Sequence, residues 1–348
     1  AVEDIAVDFA NLRAAWGAAV EGGRIDEVAQ ATEPLWLYAD TRGGAGEVGT
    51  LLRQALDAAE QIVPAGVGPG TPRESQVGSM ALLRCATGWT LAQRGMLETG
   101  RSMLERGVAE LTSETRDSKL ALGHLWHGWV SFLLARNAEA AEHAHEAIVG
   151  FADHGDLWGV ARCHFLIGNN DTAVGQLVTA DDALRTSLEM AEKIGDRRGV
   201  ALACRNLCIL AGWFGRYDEA RSLIDRARAL SREFDDRLGS AYALRELGKV
   251  LTIEGRTAEA IETLQRSIGI TDDVDNRWES AATADDLGNA FAAAGDFDAA
   301  EEEIRRCLRA AESSGHRYFV ARCIGDLGAL ALRRGDTSRA EEHLGEAL

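Results

Sequence analysis

The side chains with the most obvious chemical capacity in this 348-residue chain are six histidines that lie close together in the sequence. They are His124, His127, His143, His145, His154 and His164. His124 and His127 are three residues apart on a predicted helix, a spacing that lets two imidazoles share a metal ion. No HExxH motif accompanies them, and no carboxylate is spaced along the sequence to complete a site. We therefore interpret these histidines as packing residues and predict no metal site.

Cysteine and carboxylate side chains offer no clearer catalytic pattern. The six cysteines contain no CxxC pair, and Cys204 and Cys208 are spaced as reduced core residues of one helix. The acidic runs Asp285-Asp286 and Glu301-Glu302-Glu303 are interpreted as solvated helix faces, because the chain carries a net charge of -18. No catalytic residue and no cofactor is predicted, so the sequence disfavours an enzyme.

The composition also excludes several classes of partner. An acidic chain repels the phosphates of nucleic acids and the headgroups of anionic lipids, so we expect neither partner for this chain. No apolar run approaches the ~18 residues that a membrane span needs, and no secretory signal opens the sequence. Together with the unpaired cysteines, these features predict a cytoplasmic location.

A strict forty-residue repeat organises most of the chain. Its reference positions, the repeat alanines, are Ala81, Ala121, Ala161, Ala201, Ala241, Ala281 and Ala321. Glycine recurs seven and fourteen residues after most of them, and an Asp or Asn precedes several of them by five residues. This order predicts an N-cap, a first helix, a glycine C-cap and a second helix in every repeat. Neither helix buries enough apolar surface alone, so the hairpins must stack on one another.

The chain before the repeats has a different pattern. Residues 1–62 have helical periodicity that is out of register with the repeats. Residues 63–78 are rich in glycine and contain three of the four prolines, which is typical of a linker. We expect an N-terminal helical region at 1–62, a linker at 63–78 and the repeat array at 79–348.

The repeat residues resemble a known family. The pattern is Leu247-Gly248 … Gly255 … Glu259-Ala260 … Leu264, and it recurs from Leu287-Gly288 and from Leu327-Gly328. It is similar to the tetratricopeptide repeat, in the forty-residue variety with longer helices. The resemblance implies an all-α, right-handed superhelical solenoid of about seven helix pairs. Two stretches depart from the pattern, at Leu91-Ala92-Gln93-Arg94 and at Asn169-Asn170-Asp171.

A second resemblance lies near the beginning of the chain. The stretch Asp8-Phe9-Ala10-Asn11-Leu12-Arg13-Ala14-Ala15-Trp16, followed by Gly22-Gly23, is similar to a segment of bacterial transcriptional activators. Those activators are signal-transduction ATPases with numerous domains, and the segment follows their winged helix. The resemblance implies that the array is a non-catalytic sensor arm, which receives an inducer or a protein partner and controls oligomerisation. A stand-alone scaffold or adaptor protein is the alternative, and self-association of the chain stays open.

The family resemblance implies that the first helix of each pair lines a concave groove. Groove positions then fall one, four, eight and eleven residues after each repeat alanine, a spacing that keeps them on one stripe of a helix. The candidate ligand-binding residues are Trp89, Trp129, Phe132, Arg162, Phe165, Asn169, Arg205, Tyr242, Arg245, Lys249 and Asn289. The groove is thus predicted to begin aromatic and to become cationic and amide-bearing.

Two interpretations of this groove are open. In the first, residues 1–78 cover the aromatic half, and the arginines pair with nearby carboxylates. In the second, the groove holds a peptide: aromatics anchor apolar side chains, asparagines bind the peptide backbone, and Arg205, Arg245 and Lys249 bind acidic groups. On the second interpretation Arg245 is a surface residue, so Arg245→Glu should abolish binding of an acidic ligand and change stability by no more than about 1 kcal/mol.

Overall fold

The computed structural model describes residues 8–42, 45–62, 74–112, 118–233, 236–273 and 276–347, and every regular element in these ranges is an α-helix. In chain order the helices are α1 (Phe9–Glu21), α2 (Ile25–Gln30), α3 (Thr32–Arg42), α4 (Ala45–Ile62), α5 (Glu74–Gln93), α6 (Leu97–Thr112), α7 (Ser118–Leu133), α8 (Asn137–Asp153), α9 (Leu157–Ala173), α10 (Leu177–Ile194), α11 (Arg197–Trp213), α12 (Tyr217–Glu233), α13 (Arg237–Ile253), α14 (Thr257–Asp273), α15 (Arg277–Ala294), α16 (Phe297–Ser314), α17 (Arg317–Arg334) and α18 (Thr337–Ala347). From α5 onward they form the seven predicted helix pairs, so the all-α repeat fold is confirmed.

The chain divides into two compact units, residues 1–159 and residues 160–348. This boundary lies inside the repeat array, whereas the sequence pattern predicted a boundary at 63–78. Helix α5 already begins at Glu74, and residues 63–73 of the predicted linker lie outside the described part of the chain. Among the helices that the structure describes, none has both the length and the apolar character that crossing a bilayer requires.

In unit 1, helices α2, α3 and α4 pack against α5, the first helix of the first repeat. Ser79 donates a hydrogen bond to Asp26 over 2.8 Å, and Arg84 lies 2.8 Å from Glu60. Every residue from 81 to 92 is buried. The N-terminal helices therefore cover the repeat face that α5 would otherwise present to solvent.

In both units the recurring glycines allow the paired helices to approach closely. A Cβ atom on Gly248 would lie 2.4 Å from Leu264, the apolar residue that recurs in the second helix. The equivalent contacts, at 2.5 to 2.8 Å, join Gly168 to Leu184, Gly288 to Ile304 and Gly328 to Leu344. Such distances are too short for a Cβ atom, so glycine allows these four hairpins to close as tightly as they do, whereas the fourth repeat has Cys208 at this position.

The predicted caps set the ends of the first helices. The side chains of Asp196, Asp236 and Asn276 each accept a hydrogen bond from a backbone N–H three residues on, at 2.7 to 3.0 Å. The glycine fourteen residues after the repeat alanine has a positive φ, for example +80° at Gly255. The second repeat has Ala135 at this position. Among the described residues, Ala135 is the one non-glycine residue with a positive φ, at +57°.

Candidate functional site

The aromatic candidates of unit 1 lie mainly in its core. Trp89 and Phe132 are buried, and the half-buried Trp129 packs edge-on against Phe132 with ring centroids 5.9 Å apart. From α3, Trp36 packs edge-on against Trp126 at 5.2 Å. Because Trp89 and Phe132 are buried, neither is open to a ligand.

The three candidates on α9 belong to the beginning of unit 2. Phe165 is buried, while Arg162 and Asn169 are half-buried. The Nδ2 amide of Asn169 donates to the carbonyl oxygen of Phe165 over 2.7 Å, one turn back on the same helix. Part of the hydrogen-bonding capacity of Asn169 is thus used within α9.

The central candidate, Arg245, is not a surface residue. It is only 8 % exposed, and its Nη1 donates to Glu279 over 2.8 Å while its Nε donates to Asp286. Arg322 of α17 also donates to Asp286 and lies 2.9 Å from Asp285. The assumption that Arg245 is a surface residue is therefore wrong, because the side chain belongs to a buried ion network that joins α13, α15 and α17.

The interpretation of Asp285-Asp286 as a solvated face is wrong for the same reason. The two residues are 0 % and 3 % exposed, and both face guanidinium groups. A buried carboxylate is retained only where it is neutralised or hydrogen-bonded. Arg245 and Arg322 supply that compensation to Asp286, whereas Asp285 lies 2.9 Å from Arg322 and neither of its oxygens is hydrogen-bonded.

Two further candidates have partners within the same unit. The Nδ2 amide of Asn289 donates to Asp326 over 2.9 Å, and the Nζ amine of Lys249 lies 2.8 Å from Glu246. With the ion network, these contacts make the middle of the predicted groove close to charge-balanced, instead of the cationic strip that the sequence pattern indicated.

Arg205 differs from Arg245 and Arg322. Its guanidinium lies over the ring of Tyr242 of the next repeat, 4.6 Å from the ring centroid. Its Nε is buried without a hydrogen-bond partner, and no carboxylate among the described residues comes within ion-pair distance. Arg205 as a whole residue is half-buried. It combines a cation–π contact with an unused hydrogen-bonding capacity.

The electrostatics of this network follow from burial and from the two guanidinium groups. Burial raises the pKa of Asp285 to about 7, and the neighbouring Arg322 opposes this shift only in part. Burial acts on Asp286 as well, but Arg245 and Arg322 together outweigh it and lower its pKa below the ordinary range. Burial lowers the pKa of Arg205 and raises that of Tyr242. Asp285 is therefore a network carboxyl that changes charge near neutral pH, and burial also raises the pKa of Glu279.

The groove positions include Asp285 but not the other carboxylates of the network. Three of them lie five residues after a repeat alanine, a position that is apolar in the first three repeats. The residues are Ala86, Trp126 and Leu166 in those repeats, and Glu246, Asp286 and Asp326 in the last three. The change from apolar to acidic at one repeat position is the signal that could have revealed them.

The histidines that the sequence drew attention to are brought together in part. His124 and His127 of α7 meet His143 of α8, whereas His145 and His154 are exposed. Burial lowers the pKa of His124 to about 4 and that of His127 to about 3, with the neighbouring His143 acting in the same direction. The clustered imidazoles are therefore neutral at physiological pH.

Paired helices with these caps and glycine contacts define a helical-repeat protein of the tetratricopeptide type. A family model for the tetratricopeptide repeat matches residues 199–273 and 279–348. These residues match the tetratricopeptide-repeat family. A comparison with curated protein sequences finds no match.

Several solved structures are similar to the chain. NprR in complex with its cognate peptide NprX has a TM-score of 0.67 and 13% identity, covering 93% of this chain and 89% of NprR. A Rap protein complexed with competence and sporulation factor has a TM-score of 0.64 and 15% identity, covering 100% and 97%. Aspartyl phosphate phosphatase F from Bacillus subtilis has a TM-score of 0.59 and 13% identity, covering 95% and 91%. At these identities the similarity establishes a shared fold.

Proposed function

We propose that the chain is a non-catalytic sensor and interaction arm, which binds a peptide or an extended protein segment. The binding surface is the first-helix face, formed by the groove positions of α11, α13, α15 and α17 in residues 160–348. The observation that carries the proposal is Arg205, a half-buried residue whose buried Nε has no hydrogen-bond partner, although Arg245 and Arg322 of the same unit are neutralised. A buried donor left without a partner is costly, so an incoming acceptor is favoured there.

The chemistry of the first-helix face supports a ligand with acceptor groups. The guanidinium of Arg205 lies over the ring of Tyr242, and its donors suit a carboxylate or a backbone carbonyl. The buried ion pairs at Arg245 hold the neighbouring first helices together and are not available to a ligand. We infer that the ligand is acidic at the position that meets Arg205. The cognate peptide bound to NprR, a protein of the same fold, supports a peptide as the ligand class.

We further propose that this arm belongs to a bacterial multidomain signalling ATPase or transcriptional regulator in the cytoplasm. The support is the resemblance of the segment that begins at Asp8 to the one following the winged helix in such activators. The complete reading frame tests this: a nucleotide-binding domain encoded ahead of residue 1 supports the signalling arm. An initiator Met immediately ahead of residue 1 favours the stand-alone scaffold instead.

The peptide proposal is tested by selection from a random library of short displayed peptides on the immobilised chain. Enriched peptides are expected to carry Asp or Glu, and to bind the Arg205→Gln variant at least ~10-fold more weakly, equivalent to about 1.4 kcal/mol. Arg226→Gln is the matched control, because Arg226 is an arginine of the same unit that pairs with Glu192 on the second-helix side. Enriched peptides that bind wild type and Arg205→Gln equally would remove Arg205 from the site, and failure to enrich any peptide would contradict the function.

A further inference from the structure

A cluster of metal-ligating side chains lies in unit 1, between the two helices of the second repeat. His127 comes from α7, while Glu139 and His143 are four residues apart on α8 and so share one face of that helix. Each of the three offers a ligand atom, and these atoms all lie within 4.8 Å of one another. The rings of His127 and His143 are in contact, with centroids 3.9 Å apart. The carboxylate that the sequence spacing did not supply comes from across the hairpin.

The buried ring nitrogens of His127 favour a bound cation. The residue is only 4 % exposed, and both of its ring nitrogens are buried without a hydrogen-bond partner. Its Nε2 lies 3.2 Å from Oε1 of Glu139, but not in hydrogen-bonding geometry. Two ligand atoms on a tetrahedral zinc ion are about 3.3 Å apart, given bond lengths of about 2.0–2.1 Å. The pair is thus already at the separation that a shared ion requires.

His124 contacts the ring of His143. Its Nδ1 lies 2.7 Å from Nδ1 of His143, so one of these two nitrogens carries the proton and donates it to the other. If His143 is the donor, its Nε2 keeps a free lone pair for a metal. A hydrogen bond of this kind on the second ring nitrogen is how metal-binding histidines are usually oriented.

We propose that His127, Glu139 and His143 form a binding site for Zn²⁺, with His124 as the positioning residue for His143. Two imidazoles and one carboxylate suit zinc, and the fourth position is left for water. The side chain of Glu139 is 28% exposed, which gives the ion a path of entry. Because the ligands come from both helices, a bound ion would fasten α7 to α8.

Other groups around Glu139 affect the expected affinity. Ser131 donates to Oε1 of Glu139 over 3.1 Å, and Arg136 lies 3.5 Å from Oε2, so the carboxylate is held in place. Arg101 lies 3.9 Å from Oε1. The positive charges of Arg101 and Arg136 oppose the approach of a cation, so we expect weaker binding than at a structural zinc site made of four protein ligands.

The test is titration of the tag-free, metal-stripped chain with Zn²⁺ by calorimetry, in the presence of a phosphine reductant. Binding of one ion per chain is expected. Co²⁺ in its place should give the visible absorption bands of a tetrahedral site without thiolate-to-metal charge transfer, because the six cysteines are not among the ligands. The variants His127→Gln and His143→Gln should each bind Zn²⁺ at least about tenfold more weakly.

The matched control is His145→Gln, since His145 is an exposed histidine on the same helix, two residues from His143. It should bind Zn²⁺ as the wild type does. His143 and Glu139 are half-buried, so His143→Gln and Glu139→Gln should keep the helical circular dichroism spectrum. Their Zn²⁺ affinities therefore test the site even if His127→Gln does not fold. Absence of Zn²⁺ binding, or equal binding by wild type and His143→Gln, would overturn the proposal.

Discussion

Helices α5 and α13 occupy the same place in the forty-residue repeat but present opposite chemistry. Four, five and eight residues after the repeat alanine, α5 has Cys85, Ala86 and Trp89, and α13 has Arg245, Glu246 and Lys249. The three α5 residues are buried in the core of unit 1, whereas the charged groups of α13 form ion pairs with α15 and within their own turn. One backbone repeat therefore accepts either solution, and the covering elements determine which side chains are stable there.

The two faces depend on different physics. Apolar burial on α5 stabilises in proportion to the area removed from water and requires no specific partner. The network around Arg245 stabilises only while every member is present, because removal of one ion leaves another buried charge uncompensated. Losses on α5 should be graded with the volume removed, and losses on α13 should be abrupt.

The largest effect is expected from Arg245→Glu. It leaves Glu279 and Asp286 buried beside a third carboxylate, so the free energy of unfolding should fall by at least about 3–5 kcal/mol. Urea denaturation followed by circular dichroism measures this. Arg226→Glu, at an exposed ion pair, should cost about 1 kcal/mol or less. A loss of that small size at Arg245 would mean that the buried network does not hold the first helices together.

Trp89→Ala should have the next largest effect. It removes a buried indole from the covered face of α5 and should lower the free energy of unfolding by about 3 kcal/mol, near the lower end for aromatic truncations. Trp89→Phe keeps most of the volume and should cost clearly less. If both variants unfolded at the wild-type urea concentration, the indole of Trp89 would not be packed in the core in solution.

The ion network around Arg245 should make the stability of the chain depend on pH through Asp285. The pKa of Asp285 is about 7 in the folded chain, above the ordinary value of about 3.9, so folding favours its protonated form. Its contribution is present in full below about pH 4 and is lost as the pH rises through about 7. Asp285→Asn should therefore gain stability relative to wild type between these pH values.

Urea midpoints of the two proteins across that range measure the difference. Asp273→Asn is the control, because Asp273 is an exposed aspartate paired with Arg237 on the surface of the same unit. Parallel pH profiles for wild type and Asp285→Asn would show that Asp285 is not the titrating group of the network.

The smallest change in stability is expected at the C-cap position, which can be compared between the two units. Ala135 has a φ of +57°, where the other described repeats have glycine, so Ala135→Gly should stabilise the chain by about 1 kcal/mol. The reverse change, Gly255→Ala at φ +80°, should destabilise by a similar amount. Thermal unfolding measures both. A destabilised Ala135→Gly variant would show that contacts of the Ala135 methyl group outweigh its backbone strain.

Much of the fold could be predicted because its causes are local. Caps such as Asp236 act within one helical turn, and Gly248 is required by its own partner helix in the same hairpin. The candidate site was less accessible. Tyr242 and Arg205 were correctly placed on one helical stripe, but the burial of Arg245 depends on Glu279 and Asp286, which lie 34 and 41 residues away in the next repeat.

The amino-acid pattern was therefore sufficient to define seven helix pairs, their caps and their close glycine contacts, because these features depend on sterics between residues at set spacings. Three other features arise from packing between separate helices: the cover over α5, the closed ion network around Arg245, and the meeting of His127 with Glu139 and His143. Their formation depends on how neighbouring helices are oriented and which rotamers fit between them. A one-dimensional repeat pattern does not contain those angles, so the same repeat can bury a tryptophan in one place and an arginine in another.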